Sequence, residues 1–143
     1  MLGGIQSFAQ VIVDEEGLYY NENNELYTGT YIEFHSNGNK KIEVSLQSGL
    51  PDGPLTIYSE SGQIKETRSY KMGKMDGTWV SWNEAGTKIA QASYKDNLKD
   101  GDWFIWDDHG TLRFEMHYSK GKKVGTWKMF NEEGELVSQE VKE

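Results

Sequence analysis

Residues 77–100 read GTWVSWNEAGTKIAQASYKDNLKD, and the rest of the chain repeats this pattern. Aligned without a gap, five segments open at Gly29, Gly53, Gly77, Gly101 and Gly125, each 24 residues after the last. Thirteen of the 16 glycines fall in three columns: those five openers; Gly38, Gly62, Gly86, Gly110 and Gly134; and Gly49, Gly73 and Gly121. In the third unit the last column holds Asn97, the residue that after glycine best tolerates the left-handed region. These columns therefore predict turns, with a positive φ at Asn97, and not chemistry. A period of this length means a stacked array, because no single unit can bury its own apolar side chains.

Each unit reads strand, turn, strand, turn. The first strand carries Tyr31, Trp79, Trp103 and Trp127, with Leu55 in the second unit, and three residues later Phe34, Tyr58, Trp82, Trp106 and Phe130. A polar loop ending in glycine follows, such as Asn83–Gly86 or Asp107–Gly110, which suits a hairpin closed by a left-handed residue. The second strand alternates, with Leu112, Phe114, Met116 and Tyr118 on one face and Arg113, Glu115 and His117 on the other. Twelve of the 18 aromatics sit in three columns, the third being Tyr70, Tyr94 and Tyr118, so stacked units would join their rings into ladders. A spacing of three puts the two first-strand columns on opposite faces unless a bulge intervenes.

The fold class is therefore all-β: an elongated single-layer antiparallel sheet of repeated β-hairpins. Ten strands about 4.8 Å apart give it a length on the order of 48 Å. Residues 29–143 form the five-unit array, and residues 10–28 an acidic N-terminal cap in which GLYYNENNELYT (17–28) reads as an irregular leading hairpin. The length suits one domain. The formal charge of −8 is uneven: six acids and no Lys or Arg stand before Lys40, while 17 acids face 15 bases from there on. Acidity disfavours nucleic acid and anionic lipid as main partners, and less so for the nearly neutral array.

No cysteine is present, which removes disulfides, zinc ribbons and thiol nucleophiles. No apolar run approaches the roughly 20 residues of a membrane-spanning helix. The start, Met1–Gln10, reads MLGGIQSFAQ, with small residues Ser7 and Ala9 at −3 and −1 of a cut before Gln10. That pattern predicts export, with residues 1–9 as the remnant of a signal peptide; the alternative is a cytoplasmic chain with a strand-forming start over Ile5–Val13.

Tests for chemistry turn up little. His35, His109 and His117 occupy three different columns, so no site recurs with the period. His109 beside Asp107 and Asp108 could form a base pair or weak metal site, but a solvated turn without an enclosing pocket is the simpler reading. Asp96–Asp102 resembles a calcium loop, yet Leu98 stands where a ligand belongs and Asp107 replaces the bidentate Glu. There is no Gly-x-Ser-x-Gly elbow, and glycines spread one per turn cannot cradle phosphate. No catalysis, metal or cofactor is expected.

The basic clusters Lys40-Lys41 and Lys120–Lys123 read as turn lysines guarding sheet edges, in preference to a single-strand nucleic-acid platform. The acidic columns Glu60, Glu84, Asp108, Glu132 and Asp52, Asp76, Asp100 read as turn caps. The candidate binding residues are Tyr58, Trp79, Trp82, Trp103, Trp106, Trp127 and Phe130, rings that either pack within the array or line a gripping face.

The cores Gly77-Thr78-Trp79-x-x-Trp82-x-x-x-Gly86 and Tyr70-Lys71-x-Gly73-Lys74-x-Asp76-Gly77 resemble the bacterial variant of the MORN repeat (membrane occupation and recognition nexus). The leading Gly17-Leu18-Tyr19-Tyr20 and Tyr27-Thr28-Gly29-Thr30 also resemble the start of the YwqK-type antitoxin family. The resemblance spans residues 17–143. It implies a repeated hairpin sheet that binds proteins, and for some relatives lipids; the antitoxin label implies neutralising a toxin. Residues and resemblance together predict a non-enzymatic interaction scaffold. It would bind a protein or extended chain along an aromatic face or sheet edge, the alternatives being a toxin inhibitor or lipid-surface association. Two open edges also allow self-association.

Overall fold

The structure, a computed structural model, describes residues 10–143; the signal-peptide reading of Met1–Ala9 lies outside them. Fifteen strands and no helix are formed by these residues: β1 (Ile12–Val13), β2 (Tyr19–Tyr20), β3 (Gly29–Phe34), β4 (Lys40–Gln47), β5 (Leu50–Tyr58), β6 (Ile64–Lys71), β7 (Lys74–Met75), β8 (Gly77–Trp82), β9 (Lys88–Lys95), β10 (Leu98–Lys99), β11 (Gly101–Trp106), β12 (Leu112–Ser119), β13 (Lys122–Lys123), β14 (Gly125–Phe130) and β15 (Leu136–Lys142). One antiparallel sheet runs without crossover from β3 through β4, β5, β6, β8, β9, β11, β12 and β14 to β15, while the short strands β7, β10 and β13 pair with β6, β9 and β12. The all-β array of hairpins is thus the observed architecture.

Two kinds of turn alternate. The connection between units is a two-residue turn in which both residues have positive φ: Ser48 and Gly49 at 48° and 80°, Met72 and Gly73 at 46° and 82°, Asp96 and Asn97 at 47° and 69°, Lys120 and Gly121 at 48° and 83°. This is the type I′ geometry, whose twist matches that of the flanking strands. Asn97 adopts the left-handed conformation expected of it. In four of the five hairpins, those turning at Ser59, Asn83, Asp107 and Asn131, the inner turn is closed by a side chain at its first position. Asp107 Oδ1 accepts from the amides of His109 and Thr111, both at 3.0 Å, and Asn131 Oδ1 from those of Glu133 and Glu135 at 3.1 and 2.9 Å.

The same device builds the cap. Asp14 Oδ1 accepts from Glu16 and Leu18, and Asn21 Oδ1 from Asn23 and Glu25, so residues 14–18 and 21–25 fold as hairpin turns flanking β2. The cap then joins the array by the bond that links the units. Gly49 N donates to Tyr27 O at 2.8 Å, as Gly73 does to Pro51, Asn97 to Met75 and Gly121 to Lys99.

Every hairpin carries a bulge. Ser81 pairs with Ala90 and Trp82 with Lys88, which leaves Ile89 as the extra residue; the shift recurs in all five hairpins. The surplus residue lies on the second strand, so the first strand keeps regular alternation and its two ring columns point to opposite faces. A bulge and rings on both faces coexist.

Burial is concentrated at one end. Among the described residues only Val44, 1% exposed, and Leu46, 3% exposed, are buried apolar side chains. They lie in β4, close to the cap, where Tyr19 sits 5.5 Å from Tyr31 ring to ring and its amide donates to Gly49 O at 3.0 Å.

Candidate functional site

Register places Tyr94 opposite Gly77 and Tyr118 opposite Gly101, on the same face as Trp79 and Trp103. The rings interleave along the array in one row, Tyr70, Trp79, Tyr94, Trp103, Tyr118, Trp127, with successive centroids 5.8, 4.8, 5.3, 5.2 and 5.3 Å apart. Tilted contacts at this distance suit the aromatic quadrupole. Each indole also ties its unit to the one before: Trp79 Nε1 donates to Ser69 O at 3.3 Å, Trp103 to Ser93 O at 3.0 Å and Trp127 to His117 O at 3.1 Å. Burial in this row raises the Tyr94 phenol above its ordinary range.

Cations lie on the row. The Arg68 guanidinium stands 4.9 Å above the Trp79 ring, Lys99 Nζ 4.8 Å from Trp103 and 5.0 Å from Tyr118, and Lys123 and Lys142 Nζ 4.9 and 5.1 Å from Trp127. Such contacts are attractive at about 0.5–1 kcal/mol each when exposed. Beside the rings, alternation puts Ala90, Ala92, Ile105, Phe114, Met116 and Met129 on the same face. Ile105 is 40% and Met129 42% exposed, and an open groove of about 300 Å³ runs between Phe114, Met116, Trp127 and Met129. We call this the ladder face.

The reverse face carries the other column. Phe104 and Trp106 touch at 5.7 Å, Lys88 Nζ stands 5.1 Å from the Trp106 ring and also bonds Gln91, and Tyr58 Oη donates to Glu43 at 3.1 Å. Its remaining positions are largely polar: His117 Nδ1 lies 2.7 Å from Asp102, and Lys128 Nζ 3.7 Å from Glu115.

The seven candidate rings therefore do not share one surface. Trp79, Trp103 and Trp127 belong to the ladder face, and Tyr58, Trp82, Trp106 and Phe130 to the reverse face. The sequence reading placed Tyr70, Tyr94 and Tyr118 in a ring ladder but left them, with Lys99 and Lys123, out of the candidate binding residues. The signal was present: Lys99 and Lys123 each stand two residues before a unit-opening glycine, a column that pairs directly opposite Tyr94 and Tyr118.

The weaker chemical candidates resolve into structure. Asp107 is held below its ordinary value by the Thr111 and His109 amides, and its Oδ1 is engaged in closing the turn. Asp96 and Asn97 form a type I′ turn, followed by β10. Among the described residues, no three His, Asp or Glu side chains converge as a metal site, and no helix is long and apolar enough to cross a membrane. Asp52 and Asp100 cap the amides of Met72 and Lys120 at 2.9 and 3.0 Å, as turn acids should. His35 bonds Tyr58 O at 3.0 Å beside an open hollow of about 620 Å³ along the hairpin turns.

Five copies of the family described as MORN repeat variant match the chain, at residues 27–47, 51–72, 75–96, 99–120 and 123–141. No curated protein matches it in sequence. Among solved structures, it is similar to a chain in "Crystal structure of GtfA/B complex bound to UDP and GlcNAc" at 7% identity and a TM-score of 0.31. That likeness covers 99% of this chain but 25% of the other, and is too low to argue from.

Proposed function

The chain belongs to the MORN repeat variant family, whose repeats serve in general as modules for interaction with proteins or membranes, and on that footing we propose that it is a non-enzymatic scaffold that binds another protein with its ladder face. One observation carries this reading. A single-layer sheet with one apolar face needs a second layer, and among the described residues burial of large apolar side chains is confined to Val44 and Leu46, in the unit beside the cap. Over the later units the rings and aliphatic side chains stay half-exposed and contiguous, which is the state of a face awaiting a partner. An inhibitor that neutralises a toxin would be one use of the same grip.

The test is affinity capture from native extract with three proteins: wild type, Trp103→Ala with Trp127→Ala, and Trp82→Ala with Trp106→Ala, each checked for folding by circular dichroism. The first pair should lose the captured partner and the second should keep it. Capture that survives in a folded Trp103/Trp127 variant rejects the ladder face as the grip.

A further inference from the structure

We infer that the partner segment is an acidic strand in the polyproline-II conformation, laid along the array across the ladder face; this rests on the reading above that a protein covers that face. Three independent features of the ring row point to it.

The first is charge. Although the chain is acidic overall, most acids of the last two units lie off this face, Glu140 being an exception. Asp102 and Glu115 project from the reverse side, opposite His117 and Phe104, while Asp107, Asp108, Glu132 and Glu133 sit in hairpin turns. On the ladder face Glu140 is paired with Lys142 at 2.7 Å and also feels the charge of Lys123, which shares the Trp127 ring with Lys142, whereas Lys99 lies on the Trp103 and Tyr118 rings. Three ammonium groups, those of Lys99, Lys123 and Lys142, thus stand on this part of the row with the single carboxylate of Glu140 among them, and the surplus positive charge selects an anionic ligand.

The second is period. Lys99 and Lys123 stand one unit apart, which is two strand spacings or about 9.6 Å. A polyproline-II chain advances about 9.3 Å per three-residue turn, so an acidic residue at every third position meets successive lysines in step. Seven residues of α-helix advance about 10.5 Å, and would fall out of step about three times faster.

The third is hydrogen bonding. A polyproline-II chain has no internal bonds and needs donors for its carbonyls, whereas a helix satisfies its own. The phenols of Tyr94 and Tyr118 make no hydrogen bond among the described residues, which leaves them as donors beside the lysines. The indole donors are spent on Ser93 and His117.

The experiment titrates the full chain, by its tryptophan fluorescence and by calorimetry, with synthetic peptides of about fifteen residues. One is built of Pro-Pro-Glu triplets, one of Pro-Pro-Lys triplets, and one is an acidic amphipathic helix of Leu and Glu. The Pro-Pro-Glu peptide should bind at least about tenfold more tightly than either other peptide, and lose about tenfold with Lys99→Ala plus Lys123→Ala in a folded protein. Its affinity should also fall with added salt. Equal binding of the Lys peptide, tighter binding of the helix, or indifference to the lysine substitutions each overturns the inference. If capture from extract depends on Trp103 and Trp127 while the Pro-Pro-Glu peptide fails to bind, the ladder face stands and only this partner class is wrong. Capture that ignores those rings removes both.

Discussion

Trp103 donates its indole proton to the carbonyl of Ser93, 3.0 Å away across the junction between the third and fourth units. That carbonyl also accepts the Asp100 amide at 3.0 Å, so one oxygen fastens both the last backbone amide of its own unit and the ring of the next. Trp103→Phe keeps a ring in the row and deletes one of the two bonds. Urea unfolding should show a loss of about 1 kcal/mol, the net worth of a hydrogen bond. The reverse-face control Trp106→Phe, whose indole makes no hydrogen bond among the described residues, should stay within about 0.5 kcal/mol of wild type. Equal losses from both would deny the indole its junction role.

Gly49 and Gly121 occupy equivalent turns with φ of 80° and 83°, yet their surroundings differ. A Cβ on Gly49 would lie 2.7 Å from Leu26 Cδ2 and 3.0 Å from the Tyr19 carbonyl, while one on Gly121 would sit 3.6 Å from Leu98. Gly121→Ala should cost only the left-handed penalty, about 1–2 kcal/mol. Gly49→Ala should cost clearly more and release the cap, seen as faster amide exchange at Tyr19 and Tyr27. A difference within error between the two would mean that the cap yields freely.

The array was legible because its determinants recur. A glycine or asparagine at every 24th position names the turns, and alternation names the faces. Other features were hidden for physical reasons. The first residue of each type I′ turn is Ser48, Met72, Asp96 or Lys120, four side chains with no common preference for positive φ, held there by the strands on either side. The cap breaks the period, although Asp14 with Gly17 repeats the spacing of Asn83 with Gly86 and so announced one of its turns. The division of the rings between two faces depended on which strand carries the bulge, and spacing left that open. Burial at Val44 and Leu46 was not readable at all, because it follows from where the cap folds.

Leu46 occupies the column held by Tyr70, Tyr94 and Tyr118 in later units, and at 3% exposure it is nearly sealed. Leu46→Ala should therefore cost about 2–5 kcal/mol, the range for buried leucine truncation. Leu136→Ala, on the outer strand at 49% exposure, should change stability by less than about 0.5 kcal/mol. Comparable losses in urea unfolding would mean that the cap does not organise the core.

Asp107 supplies the test of turn chemistry, with a sign fixed by linkage. Its carboxyl is depressed in the folded state, first by the Thr111 amide and then by that of His109, with Arg113 at 3.8 Å adding attraction. A carboxyl held below its unfolded value stabilises the fold above that value, and the contribution disappears as pH falls through the folded one. The loss thus begins near the usual aspartate value of 3.8 and continues below it. Asp107→Asn keeps an oxygen acceptor at the position where Asn83 and Asn131 already close equivalent turns. Stability near neutral pH should change little, while the decline in acid should be shallower than in wild type. Superimposable unfolding curves for the two proteins from pH 7 down through the carboxylate range would show that this turn is not held by the ionised carboxylate.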